Sequence, residues 1–164
     1  MIERVMQSEL GPLTLVSDGE ALVGVYFDGH RPPPKHRGEA GDCAILDLAE
    51  AQLRQWLAGE RRSFDLPLRR TGTDFQRAVW AQLDGIGFGE RRGYGELARA
   101  IGRPKAARAV GAAVGRNPLS IVVPCHRVVG TSGRLTGFAG GVDRKRWLLE
   151  HEAAAVRPGL FDSR

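Results

Sequence analysis

Apolar and polar residues alternate along residues 10–27, LGPLTLVSDGEALVGVYF, and the alternation breaks at Asp18-Gly19. A period of two on either side of an Asp-Gly pair predicts a β-hairpin closed by a tight turn. The next stretch, DGHRPPPKHRGEAGD, is a loop, because consecutive prolines neither donate to a sheet ladder nor sit inside a helix. From Cys43 to Ala58 the period changes: Ile45, Ala49, Leu53, Trp56 and Leu57 recur at helical spacing, and Gly59 supplies the stop. SFDLPL then reads as a short strand and RRTGT as a linker.

A second texture begins at about residue 71. Thr73 or Asp74 can cap a helix in which Phe75, Val79 and Leu83 share a face and Gly85 ends the run. Two short helices follow, one from about Tyr94 to Ile101 closed by Gly102, the other opened by Pro104. Helix, three-residue turn and helix make a helix-turn-helix outline. The second helix is crowded with small residues: Ala106, Ala107, Ala109, Gly111, Ala112 and Ala113. Residues 119–129, LSIVVPCHRVV, predict a buried strand interrupted at Pro124. A glycine-rich loop, GTSGRLTGFAGG, leads into a final helix, VDRKRWLLEHEAA, with Asp143 as its expected cap. The pattern predicts an α/β (α+β) chain: residues 1–70 form a small α/β unit on a hairpin-based antiparallel sheet. Residues 71–164 form a mainly helical unit containing the helix-turn-helix.

Length changes this picture little, since 164 residues suffice for one core with an appendage but not for two full-sized domains. No apolar run is long enough to span a membrane, and the first one, LGPLTLV, lacks the features of an export signal. Cys43 and Cys125 lie far apart in unlike contexts, a poor basis for a disulfide framework, so a reducing cytoplasm is expected. Charge adds a direction: 24 Lys and Arg stand against 19 Asp and Glu, a formal +5, and the basic residues are mostly arginine. Arginine's planar fork of donors suits phosphate, which favours a polyanionic partner. A coding bias toward arginine accounts for the same excess.

The apolar run around Cys125 carries the candidate chemistry. A thiol attacks only as thiolate, so something must take its proton. His126 adjoins it, but neighbouring side chains on extended backbone point to opposite faces. Either the chain kinks at Pro124 and turns both inward, or a water molecule links them. A carboxylate should orient the histidine, and the final helix offers Glu150 and Glu152.

IVVPCHRVVG resembles the active-site segment of the O6-alkylguanine-DNA alkyltransferases, which move an alkyl group from guanine O6 to their own cysteine. The likeness extends in order from FQRAVW through KAARAVG and RNP to WLLEHE, about half of the chain. The resemblance implies that Cys125 is the alkyl acceptor, that His126 deprotonates it through a water, and that Glu152 orients His126. It implies that Asn117 fixes the turn before the cysteine and that Tyr94 crowds a target phosphate and helps protonate the departing guanine. Arg108 takes the place of the family's finger, which enters the base stack where the flipped nucleotide was. Ala107, Gly111 and Val114 would meet the DNA, Val128, Phe138 and Ala139 would form the base pocket, and the N-terminal unit would be ribonuclease-like.

The chemistry is coherent with those roles. A thioether has no low-energy route back, so one protein performs one transfer and no cofactor is needed. Guanine O6 is reached only by rotating the nucleotide out of the duplex. A helix of Ala and Gly is poor material for reading base edges in the major groove and better suited to the minor groove. The expected partner is double-stranded DNA containing O6-alkylguanine, bound by a monomer, with cooperative loading left open and no membrane involved.

Phe138 stands where many members of the family have a tyrosine whose hydroxyl donates toward the guanine oxygen; its loss implies slower but competent transfer. His30, His36 and Cys43 match no compact zinc motif, so no metal is expected. A Cys-His hydrolase would need an oxyanion hole and leaves the small-residue helix unexplained. The alternative within the superfamily is a non-catalytic sensor of alkylated DNA, but such proteins lack the cysteine.

Overall fold

The computed structural model describes residues 1–157, so the end of the expected 71–164 unit, residues 158–164, lies outside the described residues. β1 (Ile2–Met6), β2 (Leu13–Ser17) and β3 (Leu22–Phe27) form an antiparallel meander, and a short β4 (Glu39–Ala40) pairs parallel with β1, in the order β3-β2-β1-β4. The hairpin expected at Asp18-Gly19 joins β2 to β3. Asp18 Oδ1 accepts from the N–H groups of Glu20 and Ala21, each at 2.9 Å, and Gly19 takes φ +96°, a region open to glycine at low cost.

β1 was not expected, because its charged Glu3 and Arg4 interrupt the apolar pattern. Partners elsewhere stabilise both: Arg4 reaches Asp42 at 2.8 Å and Asp47 at 2.6 Å, and Glu3 meets Arg37 at 3.0 Å. The strand expected at residues 63–68 shrinks to a single bridge between Leu68 and Leu22. Pro67 cannot donate to a ladder, and only its carbonyl is used, accepting from Leu22 N–H at 2.8 Å.

α1 (Ala44–Leu57) buries Leu46, Ala49, Leu53, Trp56 and Leu57, the face that its periodicity predicts. α2 (Asp74–Asp84) starts at Thr73, which shares a reciprocal capping box with Gln76. β5 (Arg92–Gly93) leads into α3 (Tyr94–Ala100), and α4 (Ala107–Gly115) follows. Pro104 lies in a turn rather than opening α4, so the connection is residues 101–106 instead of three residues. β6 (Val128–Val129) pairs parallel with β5, and α5 (Val142–Val156) closes the described chain. Asp143 does not cap α5: the chain enters through Gly141 at φ +90°, and Asp143 sits in the first turn, paired with Arg146 at 3.2 Å.

One buried core runs through β1–β3 and all five described α-helices, from Leu15 and Val25 of the sheet through Trp56 to Leu83, Val110 and Leu148. β3 also reaches forward to the candidate site. Val25 N–H donates to Pro118 O at 2.8 Å, and Ser120 N–H donates to Val25 O at 3.2 Å. The sheet therefore anchors the segment that leads into Cys125.

Candidate active site and adjoining cleft

Residues 119–127 do not form a strand, and the only strand in the run is the short β6. After the bridge between Leu119 and Val25 the backbone folds into tight turns, with Val122 N–H on Ser120 O and Cys125 N–H on Val123 O, both at 2.8 Å. The ladder is therefore lost well before Pro124. Asn117 pins these turns from inside: its Nδ2 donates to Val123 O at 2.9 Å and its Oδ1 accepts from Leu119 N–H at 3.0 Å. Between those anchors Ile121 is held at φ +71°, a left-handed conformation that costs a β-branched residue about 1–2 kcal/mol. The hydrogen bonds of Asn117 offset that strain.

Cys125, His126 and Arg127 then make one 3-10 turn with all three residues buried. This geometry resolves the problem of adjacent side chains, because a turn can bury successive residues where a strand would send them to opposite faces. Among the described residues no hydrogen bond joins the sulfur to the imidazole. His126 Nε2 instead meets Glu152 Oε2 at 2.8 Å, and its Nδ1 has no hydrogen-bond partner. Glu152 is 1% exposed, whereas Glu150 is exposed. The fold thus selects Glu152 from the two carboxylates that α5 offers.

Glu152 is also the hub of an ion cluster. Arg127 Nε donates to both of its oxygens at 3.0 Å, Arg127 Nη2 donates to Oε2 at 2.8 Å, and Gly89 N–H donates to Oε1 at 3.1 Å. Burial alone would raise its carboxyl, but hydrogen bonds from His126 and Arg127 outweigh it and hold the group at about 2. Arg127 is fixed in turn by Ile86 O at 2.5 Å and by the face of Phe88. Burial lowers the His126 pKa against the opposing pull of Glu152, and so favours the neutral imidazole. Burial raises the Cys125 thiol, while a hydrogen bond from Asn117 and the positive charge of Lys145 act against that rise. Both shifts favour the uncharged pair at rest, a protonated thiol and a neutral imidazole.

Lys145, Arg127 and Trp56 are participants that the sequence did not single out. Lys145 is 1% exposed, and among the described residues its Nζ donates to Thr136 O alone, at 3.3 Å. Its spacing to Leu148, Leu149 and Glu152 along α5 marks one buried face, and that signal could have found it. Trp56 of α1 stands edge-on to His126 at 6.0 Å between centroids and packs on His151 at 4.8 Å. No local pattern joins residues so far apart in the chain.

A cleft of about 1600 Å³ lies beside this centre. Tyr94, Ala107, Arg108 and Gly111 line it together with Val129, Phe138 and Ala139. Arg108 is exposed on the free face of α4, and the Tyr94 ring lies against Gly111. Tyr94 Oη shares a 2.8 Å hydrogen bond with Thr136 Oγ1, which joins α3 to the glycine-rich loop. Phe138 packs edge-on against Phe27 at 5.7 Å. Two expected residues do not reach the cleft. Val114 is on the core side of α4, 5% exposed, and Val128 is fully buried, so that its neighbour Val129 forms the wall. Cys125 is not part of the cleft lining either and is 3% exposed.

The candidate zinc residues are dispersed. His30 is buried edge-on to Tyr26, His36 N–H donates to Tyr26 Oη, and Cys43 is the residue before α1. Among the described residues no group of three or more His, Cys, Asp or Glu side chains is placed to hold a metal. No described helix is long and apolar enough to cross a membrane.

Comparison with known proteins identifies the family. Residues 74–154 match the model of the 6-O-methylguanine DNA methyltransferase DNA binding domain, and residues 1–70 match the ribonuclease-like domain of the same methyltransferase. The methylated-DNA–protein-cysteine methyltransferase of Mycobacterium tuberculosis is 48% identical over 96% of this chain and 95% of its own length. The protein of that name from Methanosarcina barkeri is 50% identical over 93% of this chain and 98% of its own. The crystal structure of Mycobacterium tuberculosis OGT in complex with DNA superposes with a TM-score of 0.88 at 46% identity, covering 94% of each chain. The chain belongs to the 6-O-methylguanine DNA methyltransferase family.

Proposed function

We propose that this protein repairs alkylated DNA directly, by irreversible transfer of the alkyl group from O6-alkylguanine in duplex DNA to Cys125. The observation that carries this reading is a buried thiol beside a neutral histidine whose far nitrogen is held by the ion-paired Glu152. With Nε2–H directed at the carboxylate, Nδ1 keeps a lone pair to accept the proton of Cys125 through one bridging water. The sulfur then bonds to the alkyl carbon as the carbon–oxygen bond breaks, and the electron pair of that bond returns to guanine. A proton delivered with the help of Tyr94 lets guanine leave neutral. The small-residue face of α4 enters the minor groove, Arg108 fills the vacated stack, and Phe138 and Ala139 frame the flipped base. Residues 1–70 and 71–164 are read as two units sharing one core, and the setting as cytoplasmic. A non-catalytic sensor reading has no use for the thiol.

Mixing the protein with excess O6-methylguanine duplex tests this. Repaired lesions should plateau at one per protein molecule, and Cys125→Ser should repair none. Continued turnover, or repair by the serine variant, would exclude the proposal.

Lys145 adds a second expectation. Its buried charge favours the thiolate of Cys125, so Lys145→Met should shift the pH–rate profile upward and slow transfer at neutral pH about tenfold. Removing an ammonium that has one long hydrogen bond should leave stability equal or higher, and Lys145→Arg should restore much of the rate. An unshifted profile in the methionine variant would show that the charge has no part in activation. For Phe138→Tyr, a restored hydroxyl near the departing oxygen should raise the single-turnover rate by up to about fivefold, the worth of one hydrogen bond. No increase would mean that the hydroxyl is irrelevant here.

A further inference from the structure

We infer that Arg31, in the connection after β3, is a DNA-phosphate contact through which the N-terminal part of the chain grips the duplex beside the base pocket. The inference rests on the duplex-DNA reading above. It begins from how the positive charge is distributed. Arg4, Arg37, Arg54 and Arg69, all outside the cleft, are each paired with a carboxylate. Arg31 and Arg108, both in the cleft lining, have no carboxylate partner among the described residues. The same holds for Arg99, Arg116 and Arg134, which share that lining. Arg92 is the lining arginine with a carboxylate, Glu90 at 3.7 Å, and the other guanidinium groups gathered around one concave surface make it attractive to a polyanion.

Arg31 differs from the others in where it comes from. They belong to α3, α4, the turn after α4 and the glycine-rich loop, whereas Arg31 follows the N-terminal sheet. Its side chain is exposed, but its backbone is anchored: Arg31 N–H donates to Ala139 O at 2.9 Å, and the preceding His30 is buried and donates its N–H to Phe27 O at 3.2 Å. A guanidinium on a fixed stem loses less freedom on binding than one on a mobile arm, and its planar fork matches phosphate oxygens. The bond to Ala139 also places this cation next to Phe138 and the base pocket. Among the described residues before α1, Arg31 is the basic residue that lines the cleft, so a phosphate beside the extruded nucleotide is its natural partner.

The test is an anisotropy titration of the full chain with unmodified and O6-methylguanine duplexes across a range of salt concentrations. Arg31→Ala should weaken binding several-fold and reduce the slope of log K against log salt by about 0.9, the value of one phosphate contact. The loss should be equal for both duplexes, because a phosphate contact carries no base information. Arg31→Lys should keep the slope, and Arg69→Ala, which removes a paired arginine outside the cleft, should match the unaltered chain. A slope for Arg31→Ala equal to that of the unaltered chain would overturn the inference. So would a loss confined to the damaged duplex, which would put Arg31 on the base instead. Methyl uptake by the unaltered chain, read by protein mass in the same samples, reports on the repair reading separately. Failure of uptake with a shallower slope in Arg31→Ala would remove that reading and leave this contact standing.

Discussion

Glu152→Gln should slow alkyl transfer at least about a hundredfold and destabilise the protein by about 3–5 kcal/mol, the range for breaking one side of a buried ion pair. Two consequences follow from the same atom. The amide can still meet His126 Nε2, but it no longer fixes the tautomer or balances the charge that develops on the imidazole. Arg127, 7% exposed and bonded to both carboxylate oxygens, is left as a buried cation without a counter-charge, facing neutral acceptors and the ring of Phe88. Thermal denaturation and single-turnover kinetics read the two effects independently. An unchanged melting temperature would remove the ion cluster from the stability account.

The same cluster sets an acid limit. The Glu152 carboxyl is held at about 2 against an ordinary 4.5, so its contribution is fully present above the unfolded value and is lost as pH falls from about 4.5 toward 2. By linkage that contribution is about 3 kcal/mol. His126 acts in the same direction: its pKa lies below the ordinary 6.5, so the unfolded chain takes up a proton below pH 6.5 that the folded chain resists. Stability of the unaltered protein should decline below about pH 6.5 and more steeply below 4.5, and Glu152→Gln should lose the steeper component. A pH-stability curve with equal steepness in both proteins would contradict this assignment.

Asn117→Ala should have the second large effect. It leaves Val123 O without its donor and Leu119 N–H without its acceptor, both buried, at about 1–3 kcal/mol each. Without these bonds nothing offsets the left-handed conformation of Ile121, and the turn that presents Cys125 relaxes. A displacement of about 1 Å at the sulfur is enough to slow transfer about a hundredfold. Asn117→Asp keeps the acceptor for Leu119 and loses the donor to Val123, so it should fall between the two. Equal rates for asparagine and alanine would show that the turn holds its shape by packing alone.

The parts of the fold that were legible in the sequence are those where one face is buried along a whole element. α1 and α2 show their apolar faces at helical spacing, and the hairpin at Asp18-Gly19 shows a period of two. β1 was hidden because its charged residues are satisfied by Asp42, Asp47 and Arg37, none of them near it in sequence. Residues 119–127 misled for the opposite reason: they are apolar enough for a strand, but they are buried as turns that begin at an asparagine side chain. At the site, Cys125 and His126 were legible as an adjacent pair, and the family resemblance pointed to Glu152. Arg127 and Trp56 matter through contacts with distant residues, which no local spacing encodes, whereas Lys145 shares the buried face of α5 with Leu148, Leu149 and Glu152.

The central claim is that the alkyl carbon ends on the sulfur of Cys125. It is tested most directly by peptide mass mapping after reaction with an O6-methylguanine duplex. The account predicts a single added methyl group on the peptide containing Cys125, none on Cys43, and unmodified guanine recovered in the DNA. Restored guanine with an unmodified Cys125 peptide, or a methyl group found on another residue, would contradict it.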